Sequence, residues 1–342
     1  MDLGLDYLSG GTFMRFIFTF ILSFSLCTPA FSEVWYTSNL ATQDMLDMFT
    51  SPQNWSKARD HIDVMQFYSQ QLAADNQSEC SSCGHNIFPS FISRRAFDRL
   101  QEWGIQVAIE TGAVKEWDCD GIKNQKITID LFRKMKTHGG LHIVSMDEPF
   151  VAAMNLCGQN VVEAARYIGR YMRVIRSAHD QIYPGQSLRI GLIDAYPHFT
   201  AQEIVTQIHL LLQNGGELDF FHLDTDRIAM KNQKINDVKF RADLRRVTTV
   251  LESKNVPFGV VFWGQDGQNP ANNTKTVYDF IRQIKRLHGR PHNLIFQNWE
   301  QTKMPNGDMV NIMPNNLPEH MAWTGTKILL FGMGEFGLSL TK

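Results

Sequence analysis

Leu188–Asp224 decides the fold. It reads LRIGLID (188–194), AYPHFT (195–200), AQEIVTQIHLLLQ (201–213), NGGE (214–217) and LDFFHLD (218–224). Two short apolar runs, each ending in aspartate, flank a helix-like segment that stops at Gly215-Gly216. Runs that are apolar on both faces suit parallel strands buried between two layers. Glycine just past the last apolar-periodic residue is a helix stop.

The same unit recurs on either side. Runs of this kind are Val34–Leu40, His61–Tyr68, Ile105–Thr111, Leu141–Asp147, Leu188–Asp194, Leu218–Asp224, Val256–Trp263 and Asn293–Trp299. Strand and helix alternating over roughly 250 residues is the pattern of a single closed (β/α)8 TIM barrel of the α/β class. Chemistry in such a barrel sits at the C-terminal ends of its strands. Those tips carry Glu110, Asp147-Glu148, Asp194, Asp224, Asp266 and Glu300.

Helical spacing predicts helices over Phe91–Trp103, Ile127–Thr137, Val161–Ala178, Ala201–Gln213, Asp237–Ser253 and Thr274–Leu287. The connection holding Asn54 and Trp55 reads as short and polar. A helix over Leu317–Leu330 would complete eight units, whereas FGMGEFGLSLTK (331–342) does not read as helical.

The 342 residues are 43% hydrophobic, enough for one barrel core, and no second domain is visible. Net charge is −2 with no basic block, which argues against a nucleic-acid partner. MRFIFTFILSFSLCTPAFS (14–32) combines a basic start, a short apolar run and the small-x-small pattern Ala30-Phe31-Ser32. Residues 1–32 are therefore expected to be a signal peptide, with the true start at Met14 and cleavage before Glu33. Residues 33–342 would form the barrel, secreted or periplasmic, with no stable membrane anchor after cleavage. A retained anchor is the alternative.

Cys80, Cys83, Cys119 and Cys157 remain after that cleavage. An even number in an exported chain points to disulfides, with three connectivities open. Cys119 and Cys157 fall beyond the third and fourth runs, where neighbouring loops could join them, leaving Cys80 and Cys83 to pair locally. The rival reading of Cys80-Ser-Ser-Cys83 is a zinc site.

Asp147-Glu148-Pro149 follows the fourth run. A carboxyl at this rim, with apolar neighbours and a second acid nearby, can become a general acid. Glycosidic hydrolysis needs two carboxyls astride the scissile bond. Ser145-Met146-Asp147-Glu148-Pro149 resembles the strand-four Asn-Glu-Pro of the retaining cellulase- and mannanase-like (β/α)8 glycoside hydrolases. The resemblance implies that Glu148 is the acid/base, with Asp147 in place of the asparagine. His222 in FHLD resembles that clan's strand-six histidine, and Trp299 in QNWE its strand-eight tryptophan under the sugar. The resemblance covers roughly residues 34–300. It departs at the seventh run, where Phe262-Trp263-Gly264-Gln265-Asp266 offers no nucleophilic glutamate.

The expectation is thus an exported glycosidase acting on a carbohydrate, with no cofactor. Glu148 would be the acid and Glu300 the leading base or nucleophile, with Glu110, Asp224 and Asp266 as alternatives. Trp263 and Trp299 would line sugar subsites, joined by Tyr196 and Gln265, and His222 and Asp194 would orient groups. Aromatic faces at strand ends suit the C–H faces of sugar rings. Two other classes stay open: a metal-dependent hydrolase or isomerase using His142, His222, Asp224, Glu148 and Glu110, and a non-catalytic sugar-binding barrel.

Overall fold

A computed structural model describes residues 32–38, 43–73, 87–265, 269–298, 301–303 and 309–338. Eight parallel strands close in sequence order into one barrel: β1 (Glu33–Ser38), β2 (Val64–Tyr68), β3 (Gln106–Thr111), β4 (Ile143–Asp147), β5 (Arg189–Tyr196), β6 (Phe220–Thr225), β7 (Phe258–Phe262) and β8 (Asn293–Asn298). The circuit is sealed where Glu33–Ser38 of β1 pairs with Asn293–Asn298 of β8. The expected (β/α)8 barrel is the observed fold.

Alternation along each strand separates lumen from outer layer. Trp35, Val64, Ala108, Ile143, Phe220, Val261 and Ile295 fill the lumen as a cluster of their own. Their strand neighbours, such as Met65, Ile109, Val144, Phe221 and Val260, belong to the large core under the helices. Below the lumen cluster, Arg189 donates two 2.8 Å bonds to Glu33, which also accepts from Trp35 Nε1. Above it, the same phase of the strands turns polar: Gln66 and Tyr68 on β2, Glu110 on β3, Ser145 and Asp147 on β4, Asp224 on β6 and Gln297 on β8. The apolar plug therefore supports a polar floor at the C-terminal rim.

Helices at Val161–Ile182, Ala201–Gln213, Asp237–Ser253 and Pro270–Leu287 match the expected spacing. The first two begin with reciprocal caps, Asn160 with Glu163 and Thr200 with Glu203. Three segments differ from expectation. The connection after β1 is helical over Gln43–Thr50, where Met45, Leu46, Met48 and Phe49 are buried. The helix expected over Phe91–Trp103 is two, Ile87–Ser93 and Ala96–Glu102, broken at Arg95 with φ 53°. The last helix, Gly325–Glu335, begins eight residues later than the expected Leu317 and runs on through Phe331–Glu335, the first five residues of the stretch read as non-helical, while Phe336–Leu338 lie beyond it. Its Gly332 sits where a β-carbon would lie 2.3 Å from the Phe296 ring, so that glycine allows the helix to close on β8.

Candidate active site

A cleft of about 390 Å³ opens at the C-terminal rim. Its carboxyls are Glu110, Asp147, Glu148, Asp224 and Asp226. Tyr68, Trp117 and Trp263 supply aromatic faces, and Lys115, Asn124, His198 and Gln297 further polar groups.

Glu148 directly follows β4 with φ 44° and ψ 44°, and its N–H donates to Ile193 O at 3.0 Å. The left-handed conformation costs a non-glycine residue about 1 kcal/mol or more. Pro149 begins the short helix that follows, so the chain turns at Glu148 and delivers its side chain to the cleft. Burial pushes this carboxyl up to about 8, and the charges of Asp147 and Asp224 act the same way, while Lys115 opposes them.

Asp224, at the end of β6, accepts a 2.7 Å bond from Trp263 Nε1. Burial raises it to about 6, with the indole hydrogen bond holding it down. Glu110 lies deeper. Gln66 Nε2 donates to its Oε2 at 2.6 Å, and Ser145 Oγ donates to Gln66 Oε1 at 2.8 Å. Burial, then Asp147, raise Glu110 well above the ordinary range. Gln297 Nε2 donates to Tyr68 OH at 3.0 Å beside it.

Asp147 accepts a 2.8 Å bond from Lys115 Nζ. Lys115 rides on the loop after β3, which is tied to the loop after β4 by a Cys119–Cys157 disulfide with Cα atoms 5.6 Å apart. These are the neighbouring loops that the cysteine spacing suggested. Cys80 and Cys83 lie outside the described residues.

The structure brings Glu148, Glu110, Asp224 and Trp263 together in one cleft. Glu300, Trp299 and Asp266 lie outside the described residues. Other expected site residues sit elsewhere. His222 is fully buried in the lumen, 4.8 Å from the Trp35 ring centroid and within 3.0 Å of Asn293 Nδ2. Asp194 and Tyr196 occupy the outward phase of β5, because Gly191, Ile193 and Ala195 take the inward one. Asp194 is fully buried, accepts from Ala195 N at 3.0 Å and is pushed up to about 8 by burial. Tyr196 donates to Asp243 at 2.6 Å and stacks on Phe240. Gln265 ties loops together, accepting from Arg227 N and donating to Thr225 O.

Gln66, Lys115 and Gln297 were missed. Gln66 and Gln297 stand two residues beyond lumen-facing Val64 and Ile295, so strand phase could have found them. Lys115 lies in a loop, where periodicity carries no signal. Among the described residues, no three His, Cys, Asp or Glu side chains are grouped to hold a metal ion.

Solved structures resemble this arrangement at the level of the fold. One of the fungal β-1,4-galactanases superposes with a TM-score of 0.53 at 10% identity, over 86% of this chain and 98% of that one. GH26C from Muricauda sp. gives 0.53 at 9% identity, over 89% and 85%. The GH10 xylanase of Thermobacillus composti gives 0.51 at 9% identity, over 89% and 97%. What the chain shares with them is the (β/α)8 barrel fold. No family model matches the sequence, and no curated protein matches it.

Proposed function

We propose that this chain is an exported glycoside hydrolase acting on a poly- or oligosaccharide. One observation carries the reading: a single rim cleft holds a carboxyl that keeps its proton near neutrality, Glu148 at about 8, with one that ionises at lower pH, Asp224 at about 6. Carboxyls driven apart in this way divide acid from base. Glycosidic cleavage requires that division, because the leaving oxygen must be protonated while negative charge supports the oxocarbenium-like centre.

In this mechanism Glu148 donates its proton to the glycosidic oxygen. The Asp224 carboxylate, fixed by the Trp263 indole, faces the anomeric carbon and either attacks it or activates water. If Asp224 attacks, Glu148, then ionised, takes the proton of the water that releases the glycosyl group; if Asp224 activates water instead, Asp224 takes that proton and Glu148 is reprotonated from solvent. Trp263 and the 53% exposed Trp117 offer faces for sugar rings. Glu110, Gln297 and Tyr68 receive hydroxyls at the floor. The leader-like sequence at residues 14–32 supports export, as does the Cys119–Cys157 disulfide, since such bonds persist in oxidising compartments.

The test is Glu148→Gln, assayed by release of reducing ends from a panel of neutral polysaccharides. Loss of a positioned general acid should cost about 10²–10⁴-fold in kcat. An activated aryl glycoside, whose leaving group needs little protonation, should lose much less. Wild-type turnover of the polysaccharide by the folded variant would remove Glu148 from the mechanism.

A further inference from the structure

We propose that Lys115, carried on the disulfide-clamped loop after β3, is a positioning residue that distributes protons among the cleft acids through its ion pair with Asp147. The inference rests on the glycosidase reading only for its consequence in turnover; the electrostatic relation itself is a property of the folded protein.

Three features fix the lysine. Its backbone exchanges hydrogen bonds with Asp118, at 3.4 and 2.8 Å, and the Asp118 carboxyl in turn caps the following helix through Lys123 N and Asn124 N. The Cys119–Cys157 bond and the 2.6 Å bond from Gln159 Nε2 to Cys119 O hold this loop against the one after β4. Finally, Gly112 leaves the path of the lysine stem open. A β-carbon there would lie 2.2 Å from Lys115 Cγ. The ammonium is thereby delivered to Asp147, 2.8 Å away and one residue before Glu148.

The titratable groups that act on Glu148 are Asp147 beside it, Asp224 on β6, Lys115 and, from the outer face of β5, Asp194; Glu110 on β3 shares the field of Asp147, Lys115 and Asp224. His198 and Asp226 also line the cleft. The Lys115 ammonium acts on both Glu148 and Glu110 and favours the ionised form of each. With it in place, Glu148 retains its proton near neutrality yet releases it within reach of physiological pH. Without it, the surrounding acids act unopposed and the proton is held more tightly, which impairs the return half of an acid/base cycle.

The experiment is carboxyl NMR of protein labelled with ¹³C at the glutamate side chains. The Glu148 resonance is identified by its disappearance in Glu148→Gln. Lys115→Met should raise the Glu148 midpoint by about 1 pH unit or more, and Lys115→Arg should restore it. Gly112→Ala, which forces the lysine stem aside, should raise it as well and carries the test if Lys115→Met does not fold. Midpoints unchanged in the folded variants would overturn the proposal. The titration needs no turnover. If the chain hydrolyses no glycoside, the Lys115 assignment is still decided; if Glu148→Gln abolishes hydrolysis while the midpoints stay fixed, only the Lys115 assignment falls. In active enzyme, the alkaline limb of kcat/KM should move with the midpoint.

Discussion

The Trp263 indole N–H donates a 2.7 Å hydrogen bond to Asp224 Oδ1, joining the residue just past β7 to the acid at the end of β6. Burial raises Asp224 and this bond lowers it. Trp263→Phe keeps most of the aromatic face but removes the donor. A hydrogen bond to a charged group contributes about 1.5–3 kcal/mol, so its loss should move Asp224 upward by about 1 pH unit or more. The acid limb of kcat/KM should follow, with activity at pH 6 falling further than activity at pH 7.5. An acid limb identical to wild type would mean that ionisation of Asp224 does not control the reaction.

The strands were legible because burial on both faces leaves an unbroken apolar run, as in Leu218–Asp224. The phase of each strand was not. Asp194 ends its apolar run just as Asp224 ends the next, yet one faces the helices and the other the cleft. A single-residue offset moves a side chain to the other face. A run that is apolar on both faces contains nothing to reveal that offset. Glu148 was legible from local sequence, because the turn before Pro149 depends on neighbours in the chain. Lys115 was not, because its role comes from a loop meeting β4 in space. The last helix was obscured by Gly332 and Gly334, of which Gly332 serves contact with Phe296 rather than helix propensity.

Glu148 also predicts a pH dependence of stability. Its folded value of about 8 lies above the ordinary 4.5. Below pH 4.5 both folded and unfolded chains hold the proton, and the group makes no difference. Between 4.5 and 8 the unfolded chain releases it while the folded chain keeps it, so rising pH favours unfolding. Above 8 the penalty is complete. Glu148→Gln removes this contribution. By calorimetry, its Tm should exceed wild type at pH 8.5, by a margin on the order of 5 kcal/mol in stability, and converge with wild type at pH 4. Melting curves that run parallel across this range would show that Glu148 is not held protonated.

His222 separates a structural from a substrate-orienting role. Burial and then Arg189 push its imidazole down to about 3, so it is neutral at any working pH. It hydrogen-bonds with Asn293 at 3.0 Å and packs against Trp35 and Phe220 below the cleft floor. His222→Leu leaves the Asn293 amide without that partner in the lumen, which should cost about 1–3 kcal/mol in urea unfolding. Neither kcat nor KM should change by more than about 3-fold, because catalysis responds to groups that meet the reacting substrate. The resemblance to a strand-six histidine that touches the sugar requires the opposite, a large loss of kcat/KM in a variant that still folds. Replacing Asn293 by leucine as well removes both halves of the buried pair, a change that is close to neutral when the apolar replacements fit. Recovery of stability in that double variant, with activity retained throughout, would assign His222 to the lumen core.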